Sequence, residues 1–74
     1  MKQNIYEVIF GDITRIEYAF NVESAMILAQ AKQINAGLKY EPDSIYLIKT
    51  NGIFDVAERE LVWFKTKEAS RFSV

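Results

Sequence analysis

NVESAMILAQAKQINAGL, residues 21–38, carries the fullest set of helix signals in the chain, and the strands on either side of it must be arranged to cover it. Asn21 is suited to cap the N-terminus, because its side chain can accept from a free N–H of the first turn. Glu23 adds a carboxylate near the positive end of the helix dipole. Gly37 marks the stop. At about 100° per residue, Val22, Ala25, Ala29 and Ala36 fall on one side, while Ile27, Ala31, Ile34 and Leu38 fall on nearly the opposite one. Glu23, Gln30, Lys32 and Gln33 occupy the gaps. Two apolar sides leave too little polar surface for a helix whose back is fully wet. Either the sheet or the C-terminal residues wrap the second side, or a partner or a second copy covers it. In the latter case Ile27, Ala31, Ile34 and Leu38 form the self-interface of a homodimer.

Outward from the helix, residues 3–10, QNIYEVIF, place Tyr6, Val8 and Phe10 on one face of a strand, and residues 13–20, ITRIEYAF, place Ile16, Tyr18 and Phe20 on one face of another. A hairpin is expected around Gly11 and Asp12. A two-residue loop would set Val8 against Arg15 and mix the faces. A three-residue loop of Phe10, Gly11 and Asp12 sets Val8 against Thr14, Tyr6 against Ile16 and Glu7 against Arg15, and is the expected register. Residues 39–44 form a loop around Pro42. Then SIYLIKT (44–50) and IFDVA (53–57) flank Asn51-Gly52, a favoured type I′ hairpin turn, which would align Leu47 with Val56, Lys49 with Phe54 and Tyr46 with Ala57. Glu58-Arg59-Glu60 reads as a further turn. LVWFKT (61–66) then reads as a fifth strand, with Trp63 and Phe64 on opposite sides. The expected fold is α+β, an antiparallel sheet of about five strands in the order β-β-α-β-β-β with one helix packed on one face. It forms a single domain over residues 1–74, with KEASRFSV (67–74) as a flexible tail or a segment lying across an open edge.

With 74 residues, such a domain buries only about 60% of the surface its unfolded chain exposes. There is no cysteine, so no disulfide or thiolate metal site adds stability, and nothing points to an oxidising compartment. The opening MKQNIYEVIF is too short and too polar for a signal peptide or a membrane span, which leads us to expect a cytoplasmic protein with no membrane partner. Nine basic and ten acidic side chains give a formal charge of −1. Binding must therefore come from local patches, not from a global field.

Catalytic residue types are scarce. Without His or Cys the chain lacks the usual general base at neutral pH, the soft metal ligands and the nucleophile pairings built on them. Gly11, Gly37 and Gly52 are too far apart to make a phosphate loop. Glu58 and Glu60 are a close carboxylate pair outside the expected strand interiors, and around Arg59 they read as solvated. No enzyme, catalytic residue, metal or cofactor is expected. For binding, Tyr40, Tyr46, Arg59 and Trp63 are the anchor types favoured at protein interfaces. Lys65, Lys67 and Arg71, near Trp63, Phe64 and Phe72, would suit a single-stranded nucleic acid, although Glu68 sits among them.

VESAMILAQAKQI followed by SIYLIKTNGIFDVAERELVWFK resembles very small bacteriophage-encoded proteins, in particular the small type I-F anti-CRISPR proteins. The resemblance spans about residues 22–65 and is carried by Ala29, Ala31, Lys32, Ile48, Asn51, Gly52 and Trp63. It implies a curved antiparallel sheet with one helix, and stoichiometric binding to a host complex where target DNA would lie. The slightly acidic balance departs from that pattern. The leading expectation is a non-enzymatic inhibitor or modulator of a host protein complex, an anti-defence protein acting in the infected cell. The alternative is a single-stranded nucleic-acid-binding accessory protein using the C-terminal basic and aromatic strand, a partner not favoured.

Overall fold

The computed structural model describes residues 2–50 and 57–65, with the backbone alone for Thr50 and Ala57. The fold class is α+β, with four antiparallel strands and one helix among the described residues. The elements run β1 (Asn4–Phe10), β2 (Ile13–Ala19), α1 (Val22–Asn35), β3 (Ser44–Thr50) and β4 (Ala57–Phe64). In the sheet they lie in the order β2-β1-β3-β4. The chain leaves the β1–β2 hairpin through α1 and returns on the far side of β1. The helix consequently lies over β2 and β1, with more of its packing on β2.

The helix ends form as their residues dictate. Asn21 is extended, and its Oδ1 accepts from the Ser24 N–H at 2.8 Å. At the other end Gly37, at φ 73°, lets the Gly37 N–H reach the Ile34 carbonyl at 3.0 Å and the Leu38 N–H reach that of Gln33 at 2.9 Å. These two bonds make a Schellman cap. Ala25 and Ala29 are fully buried beneath the helix. Their small side chains let the helix axis come close to the sheet.

Two expected registers are overturned. The β1–β2 loop has two residues, not three: Phe10 faces Ile13, Val8 faces Arg15, Glu7 faces Ile16 and Tyr6 faces Glu17. Phe10 is therefore a buried strand residue. The inward face of β2 carries Arg15, Glu17 and Ala19, leaving Ile16, Tyr18 and Phe20 exposed. Apolar alternation misled because the two inward charges have partners on the helix. Lys32 Nζ lies 3.0 Å from the Glu17 carboxylate, and the Arg15 Nε–H donates to Gln33 Oε1. Gln33 lies in line with Ala25 and Ala29 instead of in a wet gap, and is fully buried.

On the other side, β3 pairs with residues 57–64: Lys49 faces Glu58, Ile48 faces Arg59, Leu47 faces Glu60, Tyr46 faces Leu61 and Ile45 faces Trp63. Thr50, not Tyr46, faces Ala57, and Glu58-Arg59-Glu60 is strand, not turn. A register shift between Ile45 and Tyr46 brings both Val62 and Trp63 against the core. This pairing sets Lys49 Nζ 2.7 Å from Glu60, so opposite charges meet across the strands. The Asn51-Gly52 turn and most of the expected 53–57 strand lie outside the described residues.

The core is Tyr6, Val8, Phe10, Ala19, Ala25, Ala29 and Ile45, flanked by Ile13, Val22, Met26, Leu47, Val62 and Trp63. Asp43 ties its open end together. Its Oδ2 accepts from the Gly11 N–H at 2.6 Å, its N–H donates to the Ile9 carbonyl at 2.7 Å, and its carbonyl accepts from the Lys65 N–H at 2.9 Å. One residue thus joins the hairpin turn, the start of β3 and the end of β4.

Candidate protein-binding face

Strand pairing builds the face of the sheet turned away from α1 as three rows. The first runs Tyr18, Ile5, Ile48, Arg59; the second Ile16, Glu7, Tyr46, Leu61; the third Thr14, Ile9, Ser44, Phe64. Ile16 is 44% exposed, Tyr18 58%, Leu61 46% and Phe64 58%. This is a contiguous, largely apolar surface across four strands.

Its polar centre is a short relay of three residues. Arg59 reaches from β4 across the Tyr46 ring, its Cζ 4.2 Å from the ring centroid, and an Nη lies 2.6 Å from Glu7 on β1. The stacking holds the guanidinium flat, and the carboxylate balances its charge. Glu7 is only 22% exposed, so this pair is better shielded from solvent than an ordinary surface bridge. The face presents a rigid aromatic and a planar cation set among isoleucines, a composition typical of the centre of a protein interface.

The residues singled out from the sequence separate. Tyr46 and Arg59 come together at this centre. Trp63 turns to the opposite side, half-buried against the core. Tyr40 is exposed in the loop after α1, its carbonyl accepting from Gln30 Nε2 at 3.0 Å. Lys65 lies 3.2 Å from Glu41, and Lys67 lies outside the described residues. Ile27, Ala31 and Ile34 are exposed on the back of α1, and Leu38 is exposed just beyond its C-terminal end. Sequence reading missed Glu7 as the third member of the relay, and Ile16, Tyr18, Leu61 and Phe64 as its surround. For Ile16 and Tyr18 the signal was present but assigned to the core.

The electrostatics are locally neutral. Five of the described basic residues, Lys32, Lys39, Lys49, Arg59 and Lys65, each lie within 4.0 Å of a carboxylate. Asp43 is held below its ordinary pKa of 3.8, chiefly by the Gly11 N–H, which outweighs the opposing effect of burial, with Lys39 and then Lys65 adding to the lowering. Lys49 is raised above 10.5, chiefly by its hydrogen bond to Glu60. Among the described residues no three acidic side chains converge to hold a metal ion, and no cavity is present. No described helix is long and apolar enough to cross a membrane.

No family model, curated protein or solved structure matches this chain.

Proposed function

We propose that this chain is a small non-enzymatic protein that docks its outer sheet face on a protein complex and thereby inhibits or modulates it. The observation that carries the reading is the exposed apolar face centred on Tyr46, Arg59 and Glu7. A protein surface suits it better than a nucleic acid. The face carries one cation already paired with an acid, and Lys32, Lys39, Lys49 and Lys65 are likewise engaged, leaving little free positive charge among the described residues to displace counterions. The resemblance to small type I-F anti-CRISPR proteins supplies the target class to try first, a CRISPR surveillance complex of an infected host.

The test is stoichiometric binding to a purified type I-F surveillance complex, with inhibition of its target-DNA binding. Leu61→Asp and Phe64→Asp should each weaken complex formation at least about tenfold, as loss of a central apolar contact does. Each variant should leave the circular dichroism unchanged. No binding to the complex removes the target class, and binding indifferent to both substitutions removes the face. Affinity that instead depends on Lys65 and falls steeply with salt would establish the nucleic-acid alternative.

A further inference from the structure

Strand β2 is an edge of the sheet, and among the described residues nothing pairs with its outer side. Its seven residues, Ile13–Ala19, have Ile16 at their midpoint, with Arg15 and Glu17 on either side. We propose that two copies of the chain join through this edge, antiparallel about a two-fold axis at Ile16, to form one continuous sheet.

Symmetry and charge select the register. A two-fold axis perpendicular to the sheet keeps each side chain on its own face, so it must pass through a residue position, not between two. Centred on Arg15, the pairing would oppose the two arginines. Centred on Glu17, it would oppose the two carboxylates. Centred on Ile16, every residue of β2 finds a partner, with Arg15 opposite the second copy's Glu17 twice over, Thr14 opposite Tyr18 and Ile16 opposite itself. The register with the longest overlap is thus also the one that pairs unlike charges.

Inward-pointing charges on an edge strand commonly prevent edge-to-edge association. They do so when the neighbouring strand brings a like charge or an apolar residue. Here two opposite charges flank the midpoint, which admits one partner and one register. Glu17 is 4% exposed, with the half-exposed Lys32 as its ion-pair partner within the chain. Arg15 uses its Nε on Gln33, and its η nitrogens still carry four donors. The pairing gives each carboxylate a guanidinium directly across the joint.

The helix position agrees. With strands about 4.8 Å apart, a helix that lies over β2 and β1, with more of its packing on β2, sits within about one strand spacing of the axis. The two copies of α1 would then run antiparallel about 8–10 Å apart, a normal packing distance. Leu28, exposed and one turn before Lys32, is on the flank that meets its copy. The back of α1, with Ile27 and Ile34, stays outside this joint.

The chain has no cysteine, so introduced thiols report the register directly. Under mild oxidation Ile16→Cys should give a disulfide-linked dimer. Thr14→Cys and Tyr18→Cys, whose like positions would be about 13 Å apart, should not cross-link alone but should cross-link when mixed. Light scattering of the unmodified chain should give twice the chain mass. A monomer throughout the concentration series overturns the proposal. So does a dimer that Ile34→Cys links and Ile16→Cys does not.

Discussion

At the scale of single residues, Asp43 and Gln33 hold together segments that no strand pairing reaches, and each does so by a different physics. The Asp43 carboxylate is stabilised in its charged form, so its contribution follows the sign for a depressed acid. It is complete above the unfolded value of 3.8 and disappears as pH falls through the lower folded value. Asp43→Asn keeps an acceptor for the Gly11 N–H but removes the charge. Its thermal midpoint should therefore lie below that of the unaltered chain at neutral pH, and the two curves should converge in the acid range below pH 3.8. A gap that widens on acidification would contradict the assignment. Gln33 is buried and uncharged, accepting from Arg15 and donating Nε2 to the Lys39 carbonyl at 2.6 Å. Gln33→Met keeps most of the volume while stripping both partners, and should cost about 1–3 kcal/mol in urea unfolding. Gln30→Met, at a half-buried site with one longer bond, should cost less.

At the scale of elements, the helix was legible and the strand registers were not. Asn21, Ala25, Ala29 and Gly37 each report a local requirement: a cap acceptor, a close approach, a positive φ. Such requirements are visible without knowing what lies opposite. Gly37→Ala tests one of them cleanly. A methyl group there would meet no atom within 4 Å, so the whole loss is the left-handed backbone, about 1–2 kcal/mol. Ala29→Leu tests another, since added methylenes beneath a helix seated on a sheet should cost about 1–3 kcal/mol by overpacking. Chemical denaturation measures both. The β2 register failed for a different reason: Ile16, Tyr18 and Phe20 form the better apolar alternation, yet Arg15 and Glu17 go inward. Only the identity of the helix residues above them, Gln33 and Lys32, makes that tolerable, and such pairing is information about tertiary structure. The β4 register failed likewise, because the local appeal of Asn51-Gly52 carries no knowledge of Glu7 two strands away, which Arg59 reaches.

At the scale of the whole molecule, inverting β2 adds apolar surface to the sheet face of a protein whose helix back is already apolar. The hydrophobic count needed for one small core is spread over a core, a sheet face and a helix back. Tyr46 and Arg59 were recognisable from the sequence as interface types, but their neighbourhood was not, because it is assembled from strands far apart in the chain. The charges largely neutralise one another, and an apolar surface without a net field should bind through contact area, not through long-range attraction. Complex formation with a protein target should accordingly be weakly dependent on salt, changing by less than about tenfold between low and physiological ionic strength, where a nucleic-acid contact made by several lysines would lose far more. The two apolar sides should also be separable. Leu61→Asp and Phe64→Asp lie on the sheet face, and Ile27→Glu and Ile34→Glu lie on the helix back. All four positions are exposed in the single chain, so each substitution should shift folding stability by no more than about 0.5 kcal/mol. If the sheet face is the docking surface, only the first pair abolishes target binding while leaving the mass in solution unchanged. Loss of binding with the helix pair alone would transfer the site to the back of α1 and leave the sheet face as bare surface.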